Sequence, residues 1–206
     1  MRDIWHRVSQ INPIAPKRGR PVTVDRARVC VVALRLFEKK GFDAVTMEAV
    51  ADAAKVSRRT LFRQFPSKAD LVWDDLRGVL DRLHARLGEL GEHRLSLPEL
   101  MGGVMTPTLR WLEQPKVARL ARRRLRLINA TPALLRHPML AELQGELTKL
   151  VRRAPGLKAP PELVTASLLA VGFGSILWWA EAGQRAGLSP LEAFEQAVSA
   201  LASALP

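Results

Sequence analysis

Two arginines that can bind nucleic acid, Arg58 and Arg59, stand at the start of one short segment and are followed by Thr60. The planar guanidinium group of arginine can donate two hydrogen bonds to O6 and N7 of one guanine. Ser57 stands immediately before them and predicts an N-cap, so these residues would begin a helix. A charged helix face that contacts only water is the competing interpretation, and residue type alone leaves both open.

Two short helices joined by a tight break would position these side chains. The first would begin at the N-cap Thr46 and repeat apolar residues every three or four positions: Met47, Val50, Ala51 and Ala54. In the second helix Leu61 and Phe65 form the inward face, and Pro66 ends it. This pattern is typical of a helix-turn-helix, whose second helix enters the major groove of DNA.

The run from about Val24 to Trp73 resembles the DNA-binding domain of the TetR family of transcriptional regulators. The matching pieces are ALRLFEKKGFDAVTMEAVADAAKVS and TLFRQFPSKADLV. The resemblance implies an all-helical homodimer that binds palindromic DNA. By position it implies base contacts from Arg58, Arg59 and Thr60, and phosphate contacts from Thr46, Phe62, Gln64 and Lys68. Two positions depart from the family: Phe62 replaces the usual Tyr and loses a hydroxyl contact, and Gln64 stands where His is common.

Positive charge is concentrated in the amino-terminal third of the chain. The formal net charge is +12 over 206 residues. Residues 1–66 contain 14 Lys and Arg against 6 Asp and Glu, so they carry +8 of this charge. Such asymmetry indicates a polyanionic partner. Lys17, Arg18 and Arg20 form a basic arm before the first helix, which predicts either minor-groove contacts or a solvated linker.

The hydrophobic pattern predicts an all-α chain in three parts. Residues 1–21 are expected to be a mobile tail with the basic arm, 22–68 a helix-turn-helix DNA-binding domain (the head), and 69–206 a helical regulatory and dimerisation domain (the body). The first helix would run from about Asp25 to Lys40 and stop at Gly41. A long helix from Ser67 toward Leu90 carries a leucine seam. The resemblance implies that it transmits ligand binding to the head.

The segment from Lys116 to Asn129 predicts a helix with one charged side chain on its apolar face. The other arginines fall on the opposite face, where we expect them to be solvated: Arg119, Arg122, Arg123 and Arg126. Arg124 falls on the apolar side, where an unpaired charge is very costly. We expect either a carboxylate such as Asp75 or a bound acidic ligand beside it. The other candidate ligand contact is Trp111. It lies in a preceding helix from about Leu97 to Glu113, which glycines and Pro107 would weaken or kink.

The last two predicted helices carry the longest apolar run of the chain. Between Glu162 and Glu181 lie 18 uncharged residues, close to the lower limit for a membrane span. Interior polar residues, acidic ends and the lack of a positive flank argue against a span. The resemblance implies half of a four-helix dimer interface, with candidate contacts at Ala166, Ala170, Gly174, Trp178, Leu191, Phe194, Val198 and Leu201. Packing of both helices inside one subunit is the alternative.

Residue types that could catalyse a reaction or bind a metal are scattered. The four histidines show no metal-binding spacing, and Cys30 is the single cysteine, so no zinc site or disulfide is expected. No phosphate-binding glycine loop or nucleophile motif occurs. We therefore predict a protein that needs no cofactor and is not an enzyme. The first 16 residues lack the apolar core of a signal peptide, which predicts a cytoplasmic location.

These features predict a DNA-binding transcriptional regulator, a homodimeric repressor that a small molecule releases from a palindromic operator. The alternative is a helical small-molecule-binding protein or enzyme with an incidental basic head. The run RRTLFRQFPSKADLVWDD also resembles actinobacterial regulators of the mycofactocin system, whose relatives bind acyl-coenzyme A thioesters. That resemblance and an inward arginine in an apolar body favour a lipophilic acid or acyl thioester as inducer.

Overall fold

The computed structural model describes residues 25–74, 85 and 96–204, and these ranges contain no strand. The helices are α1 Arg26–Lys40, α2 Met47–Ala54, α3 Arg58–Gln64, α4 over 68–74, α5 Leu97–Glu113, α6 Pro115–Ala130, α7 Pro138–Val151, α8 Pro161–Trp178 and α9 Pro190–Ala204. A 3-10 segment, Pro132–Arg136, joins α6 to α7. The all-α prediction is confirmed. The tail with its basic arm, Asp75 and most of the leucine seam lie outside the described residues.

Helix α1 has a defined beginning and end because both termini are satisfied locally. The carboxylate of Asp25 accepts a hydrogen bond from the amide of Arg28 at 3.1 Å. Gly41 ends the helix at φ +86°, in a region that favours glycine, and its amide donates to the Phe37 carbonyl at 2.8 Å. The guanidinium of Arg28 then joins α1 to the end of α2 by donating to the Ala54 carbonyl at 3.1 Å. The predicted stop at Gly41 is confirmed.

One hydrophobic core runs from the head into the body. It includes Phe37 and Leu61 of the head, Trp73 of α4 and Trp179 of the body. The indole nitrogen of Trp73 donates to the Leu134 carbonyl at 3.1 Å, which fixes α4 against the 3-10 segment. Helix α4 therefore packs against the body, and the head and body share one close-packed core.

A second hydrophobic cluster lies between α5, α7 and α8. Its buried members are Leu100, Val104, Leu147 and Val151. Helix α5 begins at a capping box, in which the amide and hydroxyl of Ser96 both bond Glu99 at 2.8 and 2.7 Å. It contains Pro107 and is helical over all 17 residues. The expected helix is therefore present with the predicted bounds.

Helix α8 continues through a π-helical turn, Trp179–Gly183, and a last α-turn, Gln184–Ala186. A Cβ atom on Gly183 would lie 2.5 Å from Cδ1 of the buried Trp179 ring, so the turn closes only because residue 183 has no side chain. Helix α9 begins where the amide of Ser189 donates to Glu192 at 2.7 Å, and the amide of Glu192 donates back to the Ser189 hydroxyl at 3.2 Å. The predicted capping box is confirmed.

Candidate nucleic-acid interface

Helix α3 is held with its basic side toward solvent. Leu61 and Phe65 are fully buried, which fixes the rotation of the helix about its axis. Lys55 adopts a left-handed conformation (φ 55°, ψ 45°) and turns the chain between α2 and α3. The Ser57 hydroxyl then caps α3 by accepting from the Thr60 amide at 3.1 Å. The arrangement is the predicted helix-turn-helix.

The three predicted base-contacting residues form the first turn of α3. Arg58 and Arg59 are exposed, whereas Thr60 is half-buried. The Thr60 hydroxyl lies 2.8 Å from the Ser57 hydroxyl. Both guanidinium groups can therefore extend toward a bound surface, while Thr60 shares its hydroxyl with the helix cap.

The predicted phosphate-contacting residues Thr46, Phe62 and Gln64 occupy three different environments. The Thr46 hydroxyl accepts from the Ala49 amide at 3.2 Å and keeps its own proton for donation. Gln64 is half-buried, and its Oε1 has no hydrogen-bond partner among the described residues. Phe62 exposes its ring and has no donor for a phosphate oxygen.

Lys68, the fourth predicted phosphate contact, is anchored to the turn after α1. Its ammonium group donates to the carbonyls of Phe42 at 2.9 Å and Asp43 at 3.2 Å. It also lies 4.7 Å from the centre of the Phe42 ring. Because an ammonium group has three donors, one remains for a phosphate.

Arg26 braces the recognition helix, and sequence reasoning missed it. Its guanidinium pairs with Asp74 of α4 and donates to the Gln64 carbonyl at 3.1 Å. It lies 4.4 Å from the centre of the Phe65 ring. One side chain thus ties α1 to the end of α3 and to α4. The only local signal was an arginine at the start of a helix, which does not identify partners 38 and 48 residues away.

Asp70 joins the start of α4 to the body. Its carboxylate accepts from the amide and hydroxyl of Ser67 at 2.8 and 2.7 Å, and its other oxygen lies 3.5 Å from Nε2 of His137. Burial opposes ionisation of Asp70, but the hydrogen bonds from Ser67 and His137 outweigh it, so the pKa of this carboxyl is lowered. The predicted capping box at Ser67 is confirmed.

The outer arginines of α6 bind neighbouring elements, so the expectation that this face is only solvated is wrong. Arg123 forms two hydrogen bonds with Glu38 of α1, at 2.8 and 2.5 Å. Arg122 lies 4.4 Å from the centre of the Trp179 ring and donates to Gln184 at 3.3 Å. Arg126 donates to the Ala180 carbonyl at 2.8 Å. Helix periodicity located the face but could not show that other helices cover it.

The two predicted ligand contacts lie in the body. Arg124 is 3% exposed, which confirms that it faces inward. Trp111 is half-buried and packs against the core that includes Leu125 and Ile128 of α6. Both side chains interact with other groups of the chain. Whether either contacts a ligand stays a prediction.

The predicted dimer contacts divide into exposed and buried residues. The exposed ones are Ala166, Ala170, Gly174, Trp178, Val198 and Leu201. Phe194 is 6% exposed and belongs to the core of its own chain, which leaves it little surface for a partner. Leu191 is half-buried and packs against the same core. Periodicity places both on the apolar side of α9 but does not distinguish an internal core from an interface.

The helix over Pro161–Ala186 is long and apolar enough to cross a membrane by length and composition alone. Of its apolar window, 28% is buried inside the chain.

Among the described residues, no group of three or more His, Cys, Asp or Glu side chains could hold a metal ion.

Comparison with known proteins gives a match in the head. The family model described as "Bacterial regulatory proteins, tetR family" matches residues 30–73. These residues contain the helix-turn-helix and the beginning of α4. The family resemblance drawn from the sequence is therefore confirmed.

Relatives extend the similarity into the body. The candidate mycofactocin biosynthesis transcriptional regulator MftR of Mycobacterium tuberculosis is 28% identical over 172 residues, covering 81% of this chain and 85% of MftR. The transcriptional repressor KstR of Rhodococcus jostii is 41% identical over 61 residues, 30% of this chain and 29% of KstR. The crystal structure of Thermus thermophilus FadR with lauroyl-CoA has a TM-score of 0.57 at 23% identity, covering 84% of this chain and 91% of FadR.

Proposed function

We propose that this chain, which belongs to the TetR family of bacterial regulatory proteins, is a cytoplasmic homodimeric repressor released from a palindromic operator by a small molecule. Membership makes it a DNA-binding transcriptional regulator and not an enzyme. The domain division that we propose is a tail with a basic arm over 1–21, a head over 22–68 and a regulatory and dimerisation body over 69–206.

The observation that carries the proposal is the orientation of α3, whose apolar side is buried and whose basic side is exposed. Buried Leu61 and Phe65 fix the helix, and Arg58 and Arg59 stand exposed on its first turn. In this orientation the guanidinium groups enter the major groove and contact guanine edges. Thr60 contacts a neighbouring base edge. Phosphates are bound by Thr46, Gln64 and Lys68.

We propose that a second copy of the chain packs against the exposed side of α8 and α9 and forms a dimer. Ala166, Ala170 and Gly174 are exposed at intervals of four residues, so another helix can approach closely. Trp178 adds a large apolar surface, 46% exposed, at one end of this strip. Glu162 and Glu181 border the run and disfavour a lipid environment. Two heads would then contact half-sites about one DNA turn apart, roughly 34–36 Å.

A lipophilic acid or acyl thioester is the proposed inducer. The similar fold of FadR is solved with lauroyl-CoA, and the body of this chain combines an apolar interior with the inward-facing Arg124. Arg124 would bind the acidic or carbonyl end of the ligand, and Trp111 would contact its apolar part. Movement of the body then reaches the head through α4 and its contacts with the 3-10 segment.

The test is a mobility-shift titration on DNA that flanks the protein's own gene, with random DNA as competitor. The proposal predicts a complex that resists the competitor, contains two chains, and dissociates when lauroyl-CoA is added as the probe. Arg124→Leu is expected to keep DNA binding and lose release by this probe.

Random DNA that competes as well as every flanking fragment would contradict operator binding. Normal release in the Arg124→Leu variant would contradict the ligand role of Arg124 alone. Steep weakening of the complex with salt would confirm that phosphate contacts supply part of the affinity.

A further inference from the structure

Helix α3 exposes one large apolar side chain beside its arginines. Phe62 is 43% exposed, whereas Phe65, three residues later, is fully buried. Among the described residues the Phe62 ring pairs with no other aromatic ring, and it belongs to neither hydrophobic cluster. Packing within the chain therefore does not account for a phenyl group at this position.

The rotation of α3 places Phe62 on the same flank as Arg58. Leu61 points into the core, and residues four apart lie one above the other on a helix. Phe62 and Arg58 consequently face the same strip of any surface that α3 contacts. That surface is DNA, because α3 is the second helix of the helix-turn-helix.

A phenyl ring discriminates among the groups that the major groove offers. It has no hydrogen-bond donor, so it would displace water from a phosphate without replacing the lost hydrogen bonds. The C5 methyl group of thymine is the apolar group of the major groove, and apolar side chains contact it. We infer that Phe62 reads a thymine in each operator half-site by packing its ring on that methyl group. This inference deepens the proposed function and rests on α3 lying in the major groove.

The spacing along α3 limits where this thymine lies. Arg58 and Phe62 are separated by about one helical turn, about 5.4 Å along the axis. Successive bases of one DNA strand are about 3.4 Å apart. The thymine is therefore expected within about two base pairs of the guanine that Arg58 contacts.

Selection of preferred sites from random duplex DNA, followed by uracil substitution, tests the inference. Uracil pairs like thymine but lacks the C5 methyl group. Replacing one particular thymine in a single half-site should weaken binding of the unmodified protein about fourfold, the change that corresponds to burying one methyl or methylene group. Phe62→Ala should bind the thymine and uracil sites equally, and Phe62→Tyr should keep the preference.

Arg59→Ala is the matched control on the same helix. It should weaken binding overall and retain the uracil penalty. Because Phe62 is exposed, thermal melting of Phe62→Ala should match that of the unmodified protein. Equal binding of thymine and uracil sites by the unmodified protein, or a uracil penalty that survives in Phe62→Ala, would overturn the inference.

A different outcome identifies a phosphate contact at position 62. In that case Phe62→Tyr would tighten binding to selected and random DNA alike, because the new hydroxyl donates to phosphate at any sequence. Failure to enrich any sequence would overturn the proposed function and the inference together. An enriched site that is indifferent to uracil would overturn only the role of Phe62.

Discussion

The proposed function assigns both Arg58 and Lys68 to the DNA, but the chain holds the two side chains differently. Arg58 is exposed on the first turn of α3, whereas the Lys68 ammonium already donates to two carbonyls. A planar guanidinium with exposed donors suits a base edge, and an anchored ammonium suits a point charge such as a phosphate. The two residues should therefore differ in their effect on sequence preference.

Replacing Arg58 by Ala should raise the free energy of operator binding by about 1–3 kcal/mol and relax the preference at one position per half-site. Lys68→Ala should weaken binding to operator and random DNA by similar factors, because phosphates carry no sequence information. Fluorescence anisotropy on matched operator and random duplexes measures both. Equal losses for both variants on both DNAs would contradict this assignment of roles.

The sequence allowed the side chains of α3 to be placed on the correct faces, because a buried Leu61 and Phe65 four residues apart define an inward side. It also placed Arg124 correctly in the interior of the body. It did not identify Arg26 as a brace, since the partners Gln64 and Asp74 are remote in sequence. Local periodicity gives the direction of a side chain and not the element that it meets.

Helix ends followed closely from local chemistry. Gly41 ends α1, and Ser189 with Glu192 begins α9, because each cap involves residues at most four apart. The π-helical turn at the end of α8 was not predicted. In this turn Gly183 lies against the buried ring of Trp179, and Arg122 of α6 lies over the same ring. The contact with Arg122 exists only after α6 and α8 pack, so local sequence could not reveal it.

Gly183→Ala should destabilise the chain by about 1–3 kcal/mol, because the added methyl group overlaps the buried Trp179 ring. Gly145→Ala is the matched control, since residue 145 is exposed on α7 and a Cβ atom there would have no neighbour within 4 Å. The control substitution should stabilise the folded chain by about 0.5–1 kcal/mol, because alanine has a higher helix propensity than glycine. Urea unfolding compares the two; equal stability of both variants would show that the turn tolerates a side chain.

Helix α6 links the head to the end of α8 through adjacent arginines. Arg123 pairs with Glu38 of α1, while Arg122 and Arg126 bind the segment after Trp178. The carboxylate of Glu38 raises the pKa of Arg123 through its hydrogen bond, with burial opposing it. A rotation of α6 would therefore change contacts in the head and in the proposed dimer helices together.

A double-mutant cycle of Glu38→Ala and Arg123→Ala should give a coupling free energy of about 0.2–1 kcal/mol, the range for partly exposed ion pairs. Thermal unfolding supplies the four free energies at low salt. Arg119→Ala, an exposed arginine of the same helix with no ion pair to described residues, serves as the control with Glu38→Ala. Additive effects in the Glu38 and Arg123 cycle would exclude a link through this pair.

At the scale of the whole molecule, the exposed strip on α8 and α9 is the proposed dimer interface. Six of the eight residues predicted to contact a partner are exposed: Ala166, Ala170, Gly174, Trp178, Val198 and Leu201. The internal packing of Phe194 shows that α9 serves its own core as well. Sequence periodicity cannot separate these two sides, because both are apolar.

Ala170→Glu should convert the dimer to a monomer, because a charge buried between two closely packed helices has no partner there. Leu135→Glu is the matched control, because Leu135 is 39% exposed and belongs to the 3-10 segment, not to α8 or α9. Sedimentation velocity in detergent-free buffer should give a dimer for the control and a monomer for Ala170→Glu. If both variants are dimers, the interface lies elsewhere. A chain that dissolves only with detergent would indicate that the strip contacts lipid.

The most direct test of operator reading by α3 is parallel selection of binding sites from random duplex DNA by the unmodified protein and by Arg58→Ala. We predict that the unmodified protein enriches a palindrome whose half-site centres are about one DNA turn apart. The Arg58→Ala variant should lose the preference at one symmetric pair of positions and retain the others. An unmodified protein that enriches no sequence, or a variant that enriches the identical palindrome equally well, would contradict operator reading through this face of α3.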